Sequence, residues 1–213
     1  MKKLPRRILM SLGGVLICAV SIAIFKTAAL GLDPFQTFMS GLDALVPLSF
    51  GTLYALMNLF ILVFVFLLDR HNIGISTFIN LFLLGYVVDF AMMLLDILLG
   101  TPSLAVRFIC LAVGVVTLSI GVAFCMTADL GVSAYDAIAI VLSGKLKLAR
   151  FRVCRVAVDS LSIIVGIVLF LLAGGRFSQI LTLAGIGTVI TAFFMGPLID
   201  FFNRRLAIPL MEK

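Results

Sequence analysis

The sequence predicts an all-α, polytopic membrane protein made of two homologous halves in an inverted repeat. Six long transmembrane helices and two short, broken or re-entrant helices are expected. Three observations predict this. Of 213 residues, 63% are apolar and mean hydropathy is +1.29, whereas soluble domains are roughly half apolar. Apolar runs cover 8–25, 51–68, 75–99, 108–126, 156–173 and 180–202. Each is about 18 residues or more, enough at roughly 1.5 Å per residue to span a hydrocarbon core of about 30 Å. Finally, one phrase is written twice: TAALGLDPFQTFMSGL from Thr27 and TADLGVSAYDAIAIVL from Thr127.

The elements follow in order. The basic start MKKLPRR precedes an apolar run longer than the roughly 7–15 residues of a signal-peptide core, so it reads as the first span. After Thr27 comes the Leu-Gly phrase. Gly31 permits a backbone break and Pro34 suits a helix's first turn. Between Pro34 and Pro47 about 14 residues remain, roughly 20 Å of helix, which falls short of a crossing. Runs 51–68 and 75–99 complete the first half. TPS at 101–103 joins it to the second, which repeats the plan, its short helix falling at about 133–144.

The halves, 1–100 and 101–213, align with Arg7/Arg107, Gly14/Gly114, Thr27/Thr127, Ala28/Ala128, Leu30/Leu130 and Gly31/Gly131 identical. Farther on, GISTFINLFLLGYVVDF from Gly74 matches GIGTVITAFFMGPLIDF from Gly185, with Gly74/Gly185, Thr77/Thr188, Gly85/Gly196 and Asp89/Asp200 in register. Apolar composition does not easily align Gly, Thr and Asp together.

Charge sets the topology. The segment 43–50 has no Lys or Arg, whereas its counterpart 145–155 has five, and the loop 69–71 has Arg70 against Arg176 in its partner. Opposite bias in equivalent loops is the mark of inverted halves with three crossings each. Eight spans in parallel halves are the alternative. Both plans put the N- and C-termini in the cytoplasm, and the net charge of +6 reads as membrane anchoring rather than nucleic-acid binding. Cys18, Cys110, Cys125 and Cys154 show no CxxC spacing and read as small apolar fillers, with no metal and no cofactor expected.

Enzyme readings find no support. His71 is the single histidine, so neither a histidine-based triad nor a zinc site can be assembled, and no GxGD accompanies Tyr135–Asp136. Intramembrane carboxylates cost at least about 2.5–3.5 kcal/mol each, so each needs a partner, water or a cation. Arg155 with Asp159 and Asp200 with Arg204 share helix faces at i, i+4 and read as structural pairs. Asp89 is expected to meet Arg107, and Asp200 to meet Arg7, with Asp89 a lesser candidate for proton coupling. Asn58 reads as an interhelical hydrogen bond or as polar support for a site. Asp33, Gln36 and Asp136 cluster beside Phe35, Phe38 and Tyr135 on the two broken elements. They read either as caps of the short helices or as the walls of a wet cavity that takes a small amine-bearing or planar solute. Broken backbone at membrane depth survives only where protein or a water-filled cavity satisfies it.

The pattern LGLDPFQTF…GTLYALMNLFILVF…GISTFINLFLLGYVVDF, partly repeated as LGVSAYDAI…GIGTVITAFFMGPLIDF, resembles the YczE/YitT-like family of small bacterial membrane proteins over nearly the whole chain. That family's usual pattern places Trp and then Asp after the helix-starting Pro. Here Phe35–Gln36 stands in the first half, and in the second Ala134 replaces Pro while Tyr135–Asp136 supplies ring and acid. The resemblance implies a bacterial cytoplasmic-membrane protein suspected of transport, and a B6-like or amino-acid-like solute. Together these lines lead to a secondary transporter of a small organic solute, alone or as a homodimer in the lipid bilayer. Its substrate or ion contacts would be Asp33, Phe35, Gln36, Asn58, Asp89, Tyr135 and Asp136. The alternative is a non-transporting sensor or docking partner for a cytoplasmic regulator or enzyme.

Overall fold

The computed structural model describes residues 3–68 and 73–212; Arg70 and His71, on which two expectations rest, lie outside them. Among the described residues the chain is helical without strands. Helix α1 (Lys3–Ala28) stops at Ala29, whose φ is +48°, and Gly31 at φ +109° turns the chain back. Helix α2 (Pro34–Leu45) has Pro34 at its first position and Asp33 as its cap. Its 12 residues span about 18 Å, well short of a hydrocarbon core of about 30 Å. Helix α3 (Phe50–Leu68) follows. Then α4 (Ile75–Ile79), a π-turn at Asn80–Leu84 and α5 (Gly85–Leu99) form one long rod.

Beyond Leu99 the chain again runs long helix, short helix, long helix. Helix α6 (Leu104–Ala128) leads to α7 (Ala134–Ile140), which a π-turn at Val141–Lys145 extends, and then to α8 (Phe151–Leu172). A short α9 (Ile180–Leu183) precedes α10 (Ile186–Phe202), a π-turn at Asn203–Ala207 and α11 (Ile208–Glu212). Five stretches are long and apolar enough to cross a membrane, or six with the C-terminal pair Phe177–Thr191 and Phe194–Glu212, bent by 53°. The run at 180–202 is therefore not one straight span: Gly185 interrupts it, and the helix starts afresh at Ile186. Large apolar side chains face outward, among them Phe60, Leu67, Ile97 and Phe177, each at least 71% exposed. In water that surface would aggregate; in lipid it is the solvent-facing side.

The centre of the bundle is the antiparallel pair α1 and α6. Small residues let their backbones meet. A Cβ on Gly14 would lie 2.9 Å from Gly121 O, and one on Gly121 would lie 2.9 Å from Gly14 O. Ser21 Oγ donates to Thr117 Oγ1 at 2.7 Å. The two ends are tied in the same way. Arg7 Nε donates to Ala128 O at 2.7 Å and Arg107 Nε donates to Ala28 O at 2.9 Å.

These arginines correct two expected ion pairs. Arg7 meets Asp129 at 2.9 Å rather than Asp200, and Arg107 bonds carbonyls rather than Asp89. The last carbonyls of a helix lack intrahelical donors and carry the negative end of its dipole, so they compete well for a guanidinium. Asp89 instead accepts from Gly51 N at 2.7 Å, capping the start of α3. Asp200 stays with Arg204 Nε at 3.0 Å, with both side chains well exposed.

The broken segments are stitched to the opposite half. Gly31 approaches Gly185 so closely that a Cβ would sit 2.8 Å from its Cα, and Gly131 (φ +105°) approaches Gly74 at the same 2.8 Å. Gly187 N donates to Leu30 O at 2.7 Å, while Ser76 N donates to Leu130 O at 2.9 Å. Helix α2 lies along α8, and α7 lies along α3.

Candidate functional site

The site grows from the first turns of α2 and α7. Asp33 Oδ1 accepts from Gln36 N at 3.0 Å, and Ser133 Oγ accepts from Asp136 N at 3.1 Å. Each cap supplies an acceptor that the first turn of a helix lacks. With both starts fixed, Phe35 and Tyr135 stack at 4.5 Å between ring centroids and 22° between planes. The two short helices therefore meet start to start. Phe35 is 7% and Tyr135 6% exposed, so the stacked pair is closed rather than open.

One side of this ring pair is neutral. Tyr54 meets Phe35 edge-on at 5.8 Å and donates its hydroxyl to Asn80 Oδ1 at 2.9 Å. Asn58 Nδ2 donates to Tyr54 O at 2.8 Å. Gln36 Oε1 and Asn58 Oδ1 are buried without a hydrogen-bond partner among the described residues. An unmet buried acceptor costs about 1–3 kcal/mol, so these amides are poised for a donor.

The other side is charged. Arg155 lies within hydrogen-bonding reach of Asp136 and 3.1 Å from Asp159. Tyr135 donates its hydroxyl to Asp159 Oδ1 at 2.7 Å and lies 3.2 Å from Ser162 Oγ. Asp136 Oδ2 accepts from Ser133 Oγ at 2.8 Å. Two carboxylates share one guanidinium here, which leaves one negative charge in excess. The side chains of Asp136, Arg155 and Asp159 are 48%, 34% and 24% exposed, so this side can be reached from outside the bundle. Chemically, the excess carboxylate can hold a cation or a proton, and Tyr135 links that charge to the ring stack.

The residues singled out from the sequence divide accordingly. Phe35 and Tyr135 touch, and Gln36, Asn58 and Asp136 flank them. Asp33 turns back onto its own helix as a cap. Asp89 is engaged at the start of α3. The sequence pairs Arg155 with Asp159 alone, yet the same arginine also holds Asp136, because α7 and α8 form an antiparallel hairpin. Their i, i+4 spacing gave no sign of that. Lys26 has contacts that its sequence neighbours do not disclose. It lies over the Phe50 ring at 3.4 Å and 3.8 Å from Asp43. The available signal was its position, a lone ammonium in the last turn of an apolar helix.

The broken backbone finds protein partners. Leu32 N donates to Leu183 O at 2.7 Å, and Thr77 Oγ1 donates to Val132 O at 2.7 Å. Of the two ways in which broken backbone survives at membrane depth, protein partners are the one seen here, so the breaks do not by themselves demand a water-filled chamber.

A protein family described as a family of unknown function (DUF6198) matches residues 5–204. The uncharacterized protein YyaS of Bacillus subtilis (strain 168) is 22% identical over 200 residues, covering 94% of this chain and 91% of its own length. No solved structure matches the chain significantly.

Proposed function

The chain belongs to the DUF6198 family of unknown function, and from that premise we propose that it is a secondary transporter of a small organic solute across the bacterial cytoplasmic membrane. Within this proposal it is a YczE/YitT-like protein of two inverted repeats, with both termini cytoplasmic. The solute is amine-bearing, amino-acid-like or vitamin-like.

One observation carries the proposal. Two helices too short to cross meet at their starts through Phe35 and Tyr135, with a neutral amide side and a net-negative side flanking the contact. Paired discontinuous helices at the junction of repeats are how many secondary transporters place a binding site at the midplane. The reciprocal ties of Arg7 and Arg107, and of Gly31 and Gly131, support two equivalent halves able to rock about the α1–α6 contact. In this mechanism the ring pair is the central closure. The Asp136–Arg155–Asp159 group takes up the cation or proton that accompanies the solute, and Gln36 and Asn58 supply acceptors once the rings part.

The test is uptake by proteoliposomes holding the purified chain. Asp136→Asn combined with Asp159→Asn should abolish accumulation of the transported solute while the protein still elutes as a single species. Unchanged uptake would overturn the assignment of the site.

The exposed basic loop at Lys145, Lys147 and Arg150, flanked by exposed Leu146 and Leu148, favours the alternative reading, a non-transporting docking partner for a cytoplasmic regulator or enzyme. Neutralising those three charges should then matter more than the paired Asp changes.

A further inference from the structure

A second polar group lies about two turns farther along α2 and takes no part in the ring-pair site. The end of α1, α2, α5 and the α9 turn border an open cleft of about 240 Å³ lined by Lys26, Ser40, Asp43, Met92, Thr182 and Leu183, among others. It sits at the end of the bundle opposite the N-terminus, where α1 finishes.

Its charged groups are held by ionic and ring contacts rather than by hydrogen bonds, with the Lys26 ammonium over the Phe50 ring at 3.4 Å and loosely paired with Asp43. Lys26 Nζ stands 3.8 Å from Asp43 Oδ2, beyond hydrogen-bond range, and makes no hydrogen bond among the described residues. An ammonium carries three donors. The Lys26 side chain is 14% exposed and that of Asp43 34%, so neither is fully satisfied by bulk solvent. Ser40 Oγ is buried and has no partner among the described residues. The remaining walls include Met92 and Leu183.

We propose that this cleft is a binding site for a small zwitterion of the α-amino-acid class. A lone cation entering it would face Lys26, and a lone anion would face Asp43. A ligand with both charges matches both and can also satisfy the Ser40 hydroxyl. The size agrees: about 240 Å³ lies below the roughly 300–1,000 Å³ of pockets for drug-sized ligands. The carboxylate goes to Lys26, the ammonium to Asp43, and the apolar part of the ligand to Met92 and Leu183. The proposal rests on the transporter assignment only in making this ligand the substrate; the binding itself stands apart from it.

The experiment takes the full chain purified in detergent and screens the twenty common L-amino acids by thermal shift, because a ligand that binds the folded state alone raises its melting temperature. At least one should do so. Its analogue lacking the amino group and its analogue lacking the carboxylate should each bind about tenfold more weakly or worse, as should the original amino acid to Asp43→Asn, since bonds to charged groups are the strong ones. Ser40→Ala should weaken binding several-fold with the elution profile unchanged, and it decides the matter if Asp43→Asn fails to fold. The proposal is overturned if no amino acid shifts the melting point, if a single-charge analogue binds equally well, or if the folded variants bind undiminished. Proteoliposome uptake separates the two proposals. An amino acid that binds at Asp43 but is not accumulated leaves this site standing and removes transport. A solute that Asp43→Asn both binds undiminished and accumulates at the wild-type rate removes this site and leaves transport.

Discussion

Arg155 is the residue on which the charged side of the ring pair depends. It compensates Asp136 and Asp159 together, so Arg155→Gln leaves two neighbouring carboxylates with no cation. A fully buried pair broken this way loses about 3–5 kcal/mol. With these groups a quarter to a half exposed, about 1–3 kcal/mol is expected, read as a lower melting temperature in detergent. Tyr135→Phe keeps the stack and removes only the hydroxyl's bonds to Asp159 and Ser162, so it should cost about 1 kcal/mol. Equal losses in the two variants would contradict this division of roles. A smaller residue effect tests the helix ends. Ala29 and Asp129 both adopt φ +48°, a conformation that costs non-glycine residues roughly 1–2 kcal/mol. Ala29→Gly should stabilise by up to about 1 kcal/mol once the added freedom of the unfolded chain is counted. Asp129→Gly should gain less, because it gives up the contact with Arg7.

Between elements, the sharpest contrast is that of two adjacent glycines. Gly14 is pressed against Gly121, whereas nothing lies within 4 Å of a Cβ built on Gly13. Gly14→Ala should therefore destabilise by about 1–3 kcal/mol through overpacking. Gly13→Ala should stabilise by about 0.5–1 kcal/mol, the ordinary gain for a helix interior. A thermal melt of each variant decides it, and the same sign for both would refute the α1–α6 contact. The sequence also marks the limit of what it made legible at this scale. Pro34, Gly31 and the spacing to Pro47 disclosed a short helix and its break, because those are local chain properties. The partner of Arg7 was not legible: its choice of Ala128 and Asp129 over Asp200 follows from α1 and α6 running antiparallel, a contact 121 residues away in sequence. The partners of Lys26 were not legible for a related reason: Asp43 and Phe50 reach it only after the chain turns back beyond Gly31.

For the whole molecule, hydropathy alone made the membrane class plain, since burying so apolar a chain needs lipid as well as a core. The reciprocal stitching of Leu30 with Gly187 and of Leu130 with Ser76 could be anticipated only as a repeat in the letters, without its pairing. The account's central claim is that the two short helices meet start to start within the bundle. The most direct measurement is oxidative cross-linking of a Phe35→Cys, Tyr135→Cys pair in a chain with the four native cysteines replaced and a protease site inserted at residues 101–103. After cleavage the halves should stay joined under oxidation and separate on reduction. Halves that separate under both conditions, in protein that is otherwise folded, would contradict the claim.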